Sequence, residues 1–302
     1  MKHFGDLLAE ACLAKKSAVC VGLDPRWSSL PDGIRNGVDD TDLAAVARAT
    51  QTYCCEVIDA VAPFAPVVKP QAAFFELLGP QGGVALANVI QHARQHGMLV
   101  LLDGKRGDIG STAEGYASAY LGESSPWGAD ALTVNPFLGD DTLAPFCKTA
   151  HENGAGIFVL VKTSNPGSGF VQDLEVDQQS VSERVAGFVE SSAASQLGQH
   201  GFGSVGAVVG ATYPEQLVRM RSMMEHAWIL IPGYGAQGGS ARDVAGGFQD
   251  KGAHEMSLGA VVNSSRGIIF AYRRPEYASL GWQEAVAKAC EDMKLDLSAA
   301  IG

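Results

Sequence analysis

Four charged residues stand within six positions of the segment LLDGKRGDIGSTAEGY (101–116), directly after an apolar run. They are Asp103, Lys105, Arg106 and Asp108. Because burying charge is costly, such a group at the end of a buried strand indicates a site rather than a core. Asp103 and Lys105 are two residues apart, so both side chains should lie on the same side of a strand. Lys69 ends the preceding apolar run and can lie next to them.

Alternating lysines and aspartates can perform acid and base chemistry. Each charge is held by neighbours of opposite sign, so the carboxylates stay ionised and the lysines stay protonated despite burial. The alternative is a buried ion-pair network that only stabilises the fold, but such networks seldom stabilise a protein more than apolar packing does. Asp108 is odd-spaced from Lys105 and lies beyond the strand, so it could project outward, towards a neighbouring subunit.

A second group of polar residues lies near the C-terminal end of the chain. The segment IPGYGAQGG (231–239) carries four glycines around Gln237, and Arg266 begins a helix-like segment in SSRGII. Backbone N–H groups of such loops bind phosphate in many barrels, and an arginine adds a bidentate clamp. The alternative is a plain glycine-rich turn with a surface arginine. With the charged array opposite, phosphate binding is favoured.

The apolar runs that would carry these residues number eight, and most end in Gly, Pro, Asp or Asn: 17–25, 65–75, 98–108, 131–136, 156–168, 205–212, 228–239 and 256–267. They are continuous rather than alternating, which is typical of parallel strands covered on both faces. Stretches of helical periodicity separate them: 42–62, 83–97, 181–201 and 213–227 are examples. This alternation predicts an α/β fold, a (β/α)8 TIM barrel, whose chemistry sits at the C-terminal ends of the strands.

The barrel is expected to form a single domain over residues 1–302, with an insertion at about 26–40 after the first strand. An irregular loop of that length in a compact domain is either functional or mobile. The second choice for the fold is a doubly wound open sheet. No GxGxxG follows the first strand, which counts against a dinucleotide-binding fold.

Composition excludes several classes of function. The net charge of −11 disfavours nucleic acid or an anionic membrane as the main partner, although a site can be locally basic. The N-terminus lacks a signal-type cleavage site, and no run reaches the ~18 apolar residues of a membrane span, so a cytoplasmic protein is expected. The six cysteines form no CxxC and the seven histidines no HExxH, which predicts buried reduced thiols and no metal.

Several segments together resemble the orotidine 5′-monophosphate decarboxylase family, particularly its longer bacterial branch (type 2). The family signature DxKxxD stands at 103–108, and the continuation IGST also matches. Five further segments match in the family's order: VGLDPR (21–26), VVKPQAAFFE (67–76), TSNPGS (163–168), PGYGAQGG (232–239) and NSSRGI (263–268). The resemblance implies conversion of orotidine monophosphate to UMP and CO2, the last step of de novo pyrimidine biosynthesis, without metal or organic cofactor.

The resemblance also implies roles for the charged residues. Lys69, Asp103, Lys105 and Asp108 would form a catalytic tetrad. Lys105 would protonate C6 of the pyrimidine as CO2 leaves, and Asp103 would lie against the substrate carboxylate. Lys69 would orient Asp103 and contact the ribose. Asp108, together with Thr112, would reach across a homodimer interface and complete the partner's site.

The remaining implied roles concern substrate binding. Asp24 would bind the ribose hydroxyls and Ser164 would recognise the pyrimidine amide. Gln237 and Arg266 would hold the phosphate, and Pro232 would line the pocket. A phosphate contact from the hydroxyl of Tyr234 is a weaker expectation, since the family varies that loop position.

Two alternatives stay open. The nearest is a barrel relative with DxKxxD, a 3-keto-gulonate 6-phosphate decarboxylase or a hexulose phosphate synthase, which needs Mg²⁺ and acts on sugar phosphates. The KRGDIG continuation and the TSNPGS segment favour the pyrimidine substrate. The other is a non-catalytic nucleotide-binding barrel, which the intact tetrad disfavours.

Overall fold

The computed structural model describes residues 3–235, 240–250 and 256–301. Eight strands, each parallel to its neighbours, close into a barrel in the order β1-β8-β7-β6-β5-β4-β3-β2. The strands are β1 Val19–Leu23, β2 Val67–Pro70, β3 Leu99–Arg106, β4 Ala131–Val134, β5 Gly156–Lys162, β6 Val205–Val209, β7 Ile229–Pro232 and β8 Ala260–Ser264. The predicted (β/α)8 barrel is confirmed, and the doubly wound alternative is wrong because β1 pairs with β8 and closes the sheet.

Helices separate the strands and form the outer layer of the barrel. They are α1 Phe4–Lys15, α2 Asp32–Arg35, α3 Leu43–Val61, α4 Ala72–Glu76, α5 Gly79–Gln95, α6 Gly110–Tyr120, α7 Ala144–Asn153, α8 Gly169–Gln172, α9 Val181–Ala194, α10 Pro214–Met223, α11 Ala241–Ala245, α12 Arg266–Ile269 and α13 Trp282–Ile301. Shorter elements are the 3₁₀ turns Trp27–Ser29, Pro166–Ser168, Ala271–Arg273 and Pro275–Tyr277, and a hairpin of Glu175–Val176 with Gln179–Ser180.

Each of the eight predicted apolar runs contains one barrel strand, but the strands are shorter than the runs. The run 65–75, for example, ends its strand at Pro70 and enters helix α4 at Ala72. A continuous apolar run does not distinguish a buried strand from the first turn of a buried helix, so its length overstates the strand. What ends the strand here is Gln71, which caps α4 by accepting a hydrogen bond from the backbone of Ala73.

Apolar side chains close the N-terminal end of the barrel. Helix α1 lies across that end with Phe4 and Leu8 buried, and the Phe4 ring meets Phe158 edge-on at 6.1 Å between centroids. A Cβ at Gly156 would stand 2.2 Å from the Phe4 ring, so only glycine allows this close approach. Trp228, fully buried, donates its indole N–H to the backbone oxygen of Gly5 at 3.3 Å. Because apolar side chains fill the N-terminal end, polar chemistry is restricted to the C-terminal end of the barrel.

The insertion at 26–40 is partly ordered into a 3₁₀ turn and the short helix α2. Leu30 is buried within it, and the Tyr272 hydroxyl donates to the backbone oxygen of Ser29 at 2.6 Å. Arg35 donates to the Leu30 oxygen at 3.0 Å. The Tyr272 hydrogen bond attaches the insertion to the segment that follows α12, and the Arg35 hydrogen bond holds the insertion together.

Among the residues that the structure describes, no helix combines the length and the apolar character needed to cross a membrane.

Candidate active site

The carboxylate of Asp103 lies between two ammonium groups at the C-terminal end of β3. Lys69 Nζ on β2 is 2.9 Å from Asp103 Oδ2, and Lys105 Nζ is 2.6 Å from Oδ1. The side chain of Lys69 is only 6% exposed, while that of Lys105 is 46% exposed. Lys105 is therefore the ammonium group of this triad that a bound molecule can reach most directly.

Two neutral side chains complete the hydrogen bonding of this carboxylate. Gln71 Nε2 donates to Asp103 Oδ2 and Thr133 Oγ1 donates to Oδ1, both at 2.9 Å. Asp103 thus accepts four hydrogen bonds from residues of β2, β3, β4 and the turn after β2. A carboxylate so saturated is fixed in position and orientation.

Lys105 reaches Asp103 through an irregular backbone. The register of β3 against β4 shifts between Leu102 and Arg106. Lys105 has φ 46°, a left-handed conformation that non-glycine residues seldom adopt, and its N–H donates to Thr133 Oγ1 at 2.9 Å. The two side chains meet as their spacing predicts, but a regular strand is not the reason. Backbone strain of this kind is typical of functional sites.

The charges of this triad reinforce one another. Burial by itself would raise the pKa of the Asp103 carboxyl, but the ammonium groups of Lys69 and Lys105 outweigh burial and hold that pKa well below its usual range. Burial would lower the pKa of Lys69, yet the carboxylates of Asp103 and Asp24 raise it above its usual value. Asp103 and Lys69 therefore remain charged across the neutral pH range.

Five of the predicted site residues border one cavity of about 220 Å³ at the C-terminal ends of the strands. They are Lys69, Asp103, Lys105, Ser164 and Pro232. The cavity wall is otherwise formed by Thr133, Leu160, Thr163, Asn165, Val208, Leu230 and Asn263. The structure therefore brings the charged array and the segment TSNPGS to the wall of one cavity, together with apolar side chains.

The loop that carries Ser164 is held from outside the cavity. Lys162, which is 3% exposed, binds Asp173 through Nζ at 2.5 Å. The backbone N–H of Thr163 donates to the side-chain oxygen of Gln172 at 2.9 Å. A Cβ at Gly210 would lie 2.8 Å from the Cβ of Ser164, so glycine at the end of β6 is needed for this loop to approach.

Asp24, just after β1, has an unsatisfied acceptor. Its Oδ1 is buried and has no hydrogen-bond partner among residues 3–235, 240–250 and 256–301. Its negative charge contributes to the raised pKa of Lys69, so the two groups are close enough to interact. A buried acceptor beside the charged triad offers a position for a donor on a bound molecule.

Asp108 and Thr112 are not brought to the triad. Asp108 Oδ1 accepts a hydrogen bond from the backbone N–H of Ile109 at 2.8 Å, and Thr112 is exposed in the first turn of α6. The Ile109 side chain beside them is 63% exposed. The outward direction expected of Asp108, towards a neighbouring subunit, stays a prediction.

Arg266 lies at a second cavity, of about 650 Å³, near the ends of β7 and β8. Its side chain is exposed at the first residue of α12. Tyr234 lines the same cavity, but its hydroxyl donates to the carboxylate of Asp296 on α13, and burial raises its pKa. The expected partner Gln237 falls outside the described residues.

Three residues of the site escaped the sequence analysis: Gln71, Thr133 and Lys162. Gln71 stands two positions after Lys69 and so shares its face, and Thr133 is the one polar residue of β4. These positions in the sequence could have been used to identify both residues. Nothing in the sequence pairs Lys162 with Asp173, because the contact depends on how the loop between them folds.

The six cysteines are free thiols, as predicted. Cys12, Cys20, Cys54 and Cys290 are buried, whereas Cys55 and Cys147 are partly exposed. Burial raises the pKa of Cys20 to about 12. The thiol nearest to the barrel interior is therefore protonated and unreactive at neutral pH.

Comparison with known proteins identifies the family. The model of the orotidine 5′-phosphate decarboxylase / HUMPS family matches residues 17–279. The orotidine 5′-phosphate decarboxylase of Rhodopirellula baltica is 52% identical, over 98% of this chain and 99% of that protein. That of Deinococcus radiodurans is 46% identical over 89% of each chain. The solved structure of Leishmania donovani OMP decarboxylase has a TM-score of 0.75 at 33% identity, covering 99% of this chain and 98% of the other. This chain belongs to the orotidine 5′-phosphate decarboxylase / HUMPS family.

Proposed function

We propose that this protein converts orotidine 5′-monophosphate to UMP and CO2, the last step of de novo UMP biosynthesis, without metal or organic cofactor. The observation that carries the proposal is the Lys69–Asp103–Lys105 triad at the mouth of a barrel cavity. The named relatives at 52% and 46% identity support the same substrate. We treat the whole chain as one catalytic domain acting in the cytoplasm, which agrees with its free thiols.

Lys105 is the proton donor in this proposal. Loss of CO2 leaves an electron pair on C6 of the pyrimidine, and no cofactor delocalises it. A fixed positive charge beside C6 stabilises that pair, and the same ammonium group then delivers a proton to the carbon. The hydrogen bond to Asp103 aims the Lys105 ammonium, whose side chain is the more exposed of the two lysines.

Asp103 lies against the substrate carboxylate in the proposed complex. Its pKa is held well below the usual range, so it stays negative beside the departing group. The repulsion between the Asp103 carboxylate and the substrate carboxylate is relieved when CO2 leaves. Four hydrogen bonds prevent Asp103 from turning away.

Binding of the remaining substrate follows the geometry of the cavity. The buried Oδ1 of Asp24, which has no partner in the described part of the chain, accepts from a ribose hydroxyl, and Lys69, whose charge interacts with Asp24 and Asp103, contacts the same sugar. Ser164, which lines the same cavity as the triad, recognises the pyrimidine amide, while Pro232 packs against the ring. The phosphate is bound by Arg266 and Gln237 beyond the ends of β7 and β8.

The active unit in this proposal is a homodimer. Asp108 and Thr112 stand at the start of α6 near the exposed Ile109 side chain, away from their own triad. In a symmetric dimer, the same patch of each protomer can meet the partner. Each protomer then supplies Asp108 and Thr112 to the site of the other.

Decarboxylation is tested directly by following the ultraviolet absorbance of orotidine monophosphate with the purified protein, with and without EDTA. We expect conversion to UMP at the same rate in both samples, because the fixed ammonium groups supply the positive charge. Loss of activity in EDTA would favour the Mg²⁺-dependent sugar-phosphate chemistry of the family. UMP binding without CO2 release would indicate a non-catalytic barrel.

Lys105→Ala should lower kcat by about 10⁴-fold or more, because both the counter-charge and the acid are lost. Binding of UMP, measured by calorimetry, should persist because Asp24, Ser164 and the phosphate site remain. The matched control is Lys148→Ala, which removes a 75% exposed lysine from α7. Substantial decarboxylation by the Lys105 variant would exclude it as the acid.

Arg266→Ala should lower kcat/KM for orotidine monophosphate by about 10²-fold or more, because phosphate binding contributes to the transition state. The same change should have little effect on orotidine, which has no phosphate. Arg48→Ala, an exposed arginine on α3, is the control. An equal loss on both substrates, or no loss on either, would contradict a phosphate contact.

Mixing two inactive variants tests the shared site. In the proposed dimer, each site combines Lys105 of one protomer with Asp108 of the other. A mixed dimer of a Lys105→Ala chain and an Asp108→Asn chain therefore has both defects in one site and a native second site. After unfolding and refolding of an equal mixture, about a quarter of wild-type activity per chain should return. If Asp108 acts within its own protomer, the mixture stays as inactive as its components.

A further inference from the structure

Three potential metal ligands meet on the outer surface of the barrel. His92 and His96 stand at the C-terminal end of α5, and Asp59 lies in the last turn of the neighbouring helix α3. His92 Nε2 is 2.6 Å and His96 Nε2 is 3.1 Å from the same carboxylate oxygen, Asp59 Oδ1. The three ligand atoms all lie within 4.8 Å of one another.

The helical spacing produces this convergence. Residues four apart on a helix lie one above the other on one face, so His92 and His96 project side by side, with ring centroids 4.6 Å apart. Packing of α3 against α5 brings Asp59 to that face, and the Gln51–Asn88 hydrogen bond of 2.8 Å joins the same helices further along. The His-x-x-x-His spacing at 92–96 is a sequence signal that the prediction of no metal left out.

We propose that Asp59, His92 and His96 form a binding site for a divalent transition-metal ion. Two imidazole nitrogens and one carboxylate oxygen are a donor set that suits Zn²⁺ and its neighbours and does not suit Mg²⁺ or Ca²⁺, which prefer oxygen. The side chains are between 27% and 50% exposed, so water can complete the coordination.

The surroundings of the cluster favour a cation. The C-terminal end of a helix carries partial negative charge from its unpaired carbonyl groups, and both histidines stand at that end of α5. Without a metal, two imidazoles compete for one oxygen of Asp59 as a hydrogen-bond acceptor. A bound ion coordinated by all three groups removes that competition, and small side-chain rotations bring the ligand atoms to the ~2.0–2.2 Å that zinc requires.

The site is remote from the substrate cavity. Helix α5 leads into the first residue of β3, while Lys105 lies at the other end of that strand. Six residues of strand separate them, roughly 20 Å. The ion would join the ends of the two helices that precede β2 and β3, the strands carrying Lys69 and Asp103. Its effect is therefore expected on stability of the fold rather than on chemistry.

Calorimetric titration with Zn²⁺ tests the proposal on full-length protein that carries no affinity tag and has been stripped with EDTA. We expect one ion per chain and a rise in thermal midpoint on addition of Zn²⁺. His92→Gln, His96→Gln and Asp59→Asn should each weaken binding by about tenfold or more, because one of three ligands is lost. The control His151→Gln, an exposed histidine in the last turn of α7, should bind as wild type does.

Two further readouts separate this site from others. The variants should retain wild-type kcat and KM for orotidine monophosphate and an unchanged midpoint in EDTA, which shows that they are folded. Absence of Zn²⁺ binding by the wild type would overturn the proposal. So would binding that survives all three ligand variants but is lost in Cys55→Ser, whose partly exposed thiol lies one turn before Asp59.

Discussion

The contact between one carboxylate and two ammonium groups determines how the rest of the site is built. Asp103 can stay ionised in a largely buried place only because Lys69 and Lys105 both bind it. Lys69 comes from β2, and Asp103 and Lys105 come from β3, so the barrel must hold these two strands in one register. A slip of one residue in either of them would turn its side chain out of the cavity and leave the remaining charges buried without partners.

The apolar packing beneath the site strengthens the contact between Asp103 and the two lysines. The apolar residues under α1 fill the interior of the barrel as far as Leu230 and Val208, which line the cavity that the triad borders. An apolar lining of this kind has few groups that can reorient around a charge. Electrostatic attraction between fixed groups is therefore stronger at the cavity than it would be in water, which the proposed stabilisation of a carbanion requires.

The sequence predicts the barrel and the triad because both depend on local patterns. Eight apolar runs are enough to identify the strands, and the spacing of Asp103 and Lys105 predicts that they meet, although the irregular backbone that joins them is not visible in the sequence. It does not predict the ends of strands, since Pro70 and Ala72 belong to one apolar run but to different elements. It also does not predict Lys162 with Asp173, where folding of an irregular loop, rather than any period, creates the ion pair.

The contacts of the binding residues are also hard to predict from the sequence, because they join elements that are far apart in the chain. Tyr234 follows β7 in a glycine-rich segment that suggests a phosphate loop, yet its hydroxyl binds Asp296, sixty-two residues away on α13. The cluster of Asp59 with His92 and His96 can be predicted only in part. Its helical spacing is visible in the sequence, but the third ligand is supplied by packing of α3 on α5.

The left-handed backbone at Lys105 implies two opposing effects on stability at a single position. A non-glycine residue with φ 46° costs about 1 kcal/mol or more relative to an ordinary conformation. Glycine at 105 would relieve that strain, but it would also remove one of the two ammonium groups that bind the largely buried Asp103 carboxylate. The strained conformation is therefore kept at a position whose side chain a buried carboxylate needs, so replacing Lys105 by glycine need not stabilise the fold.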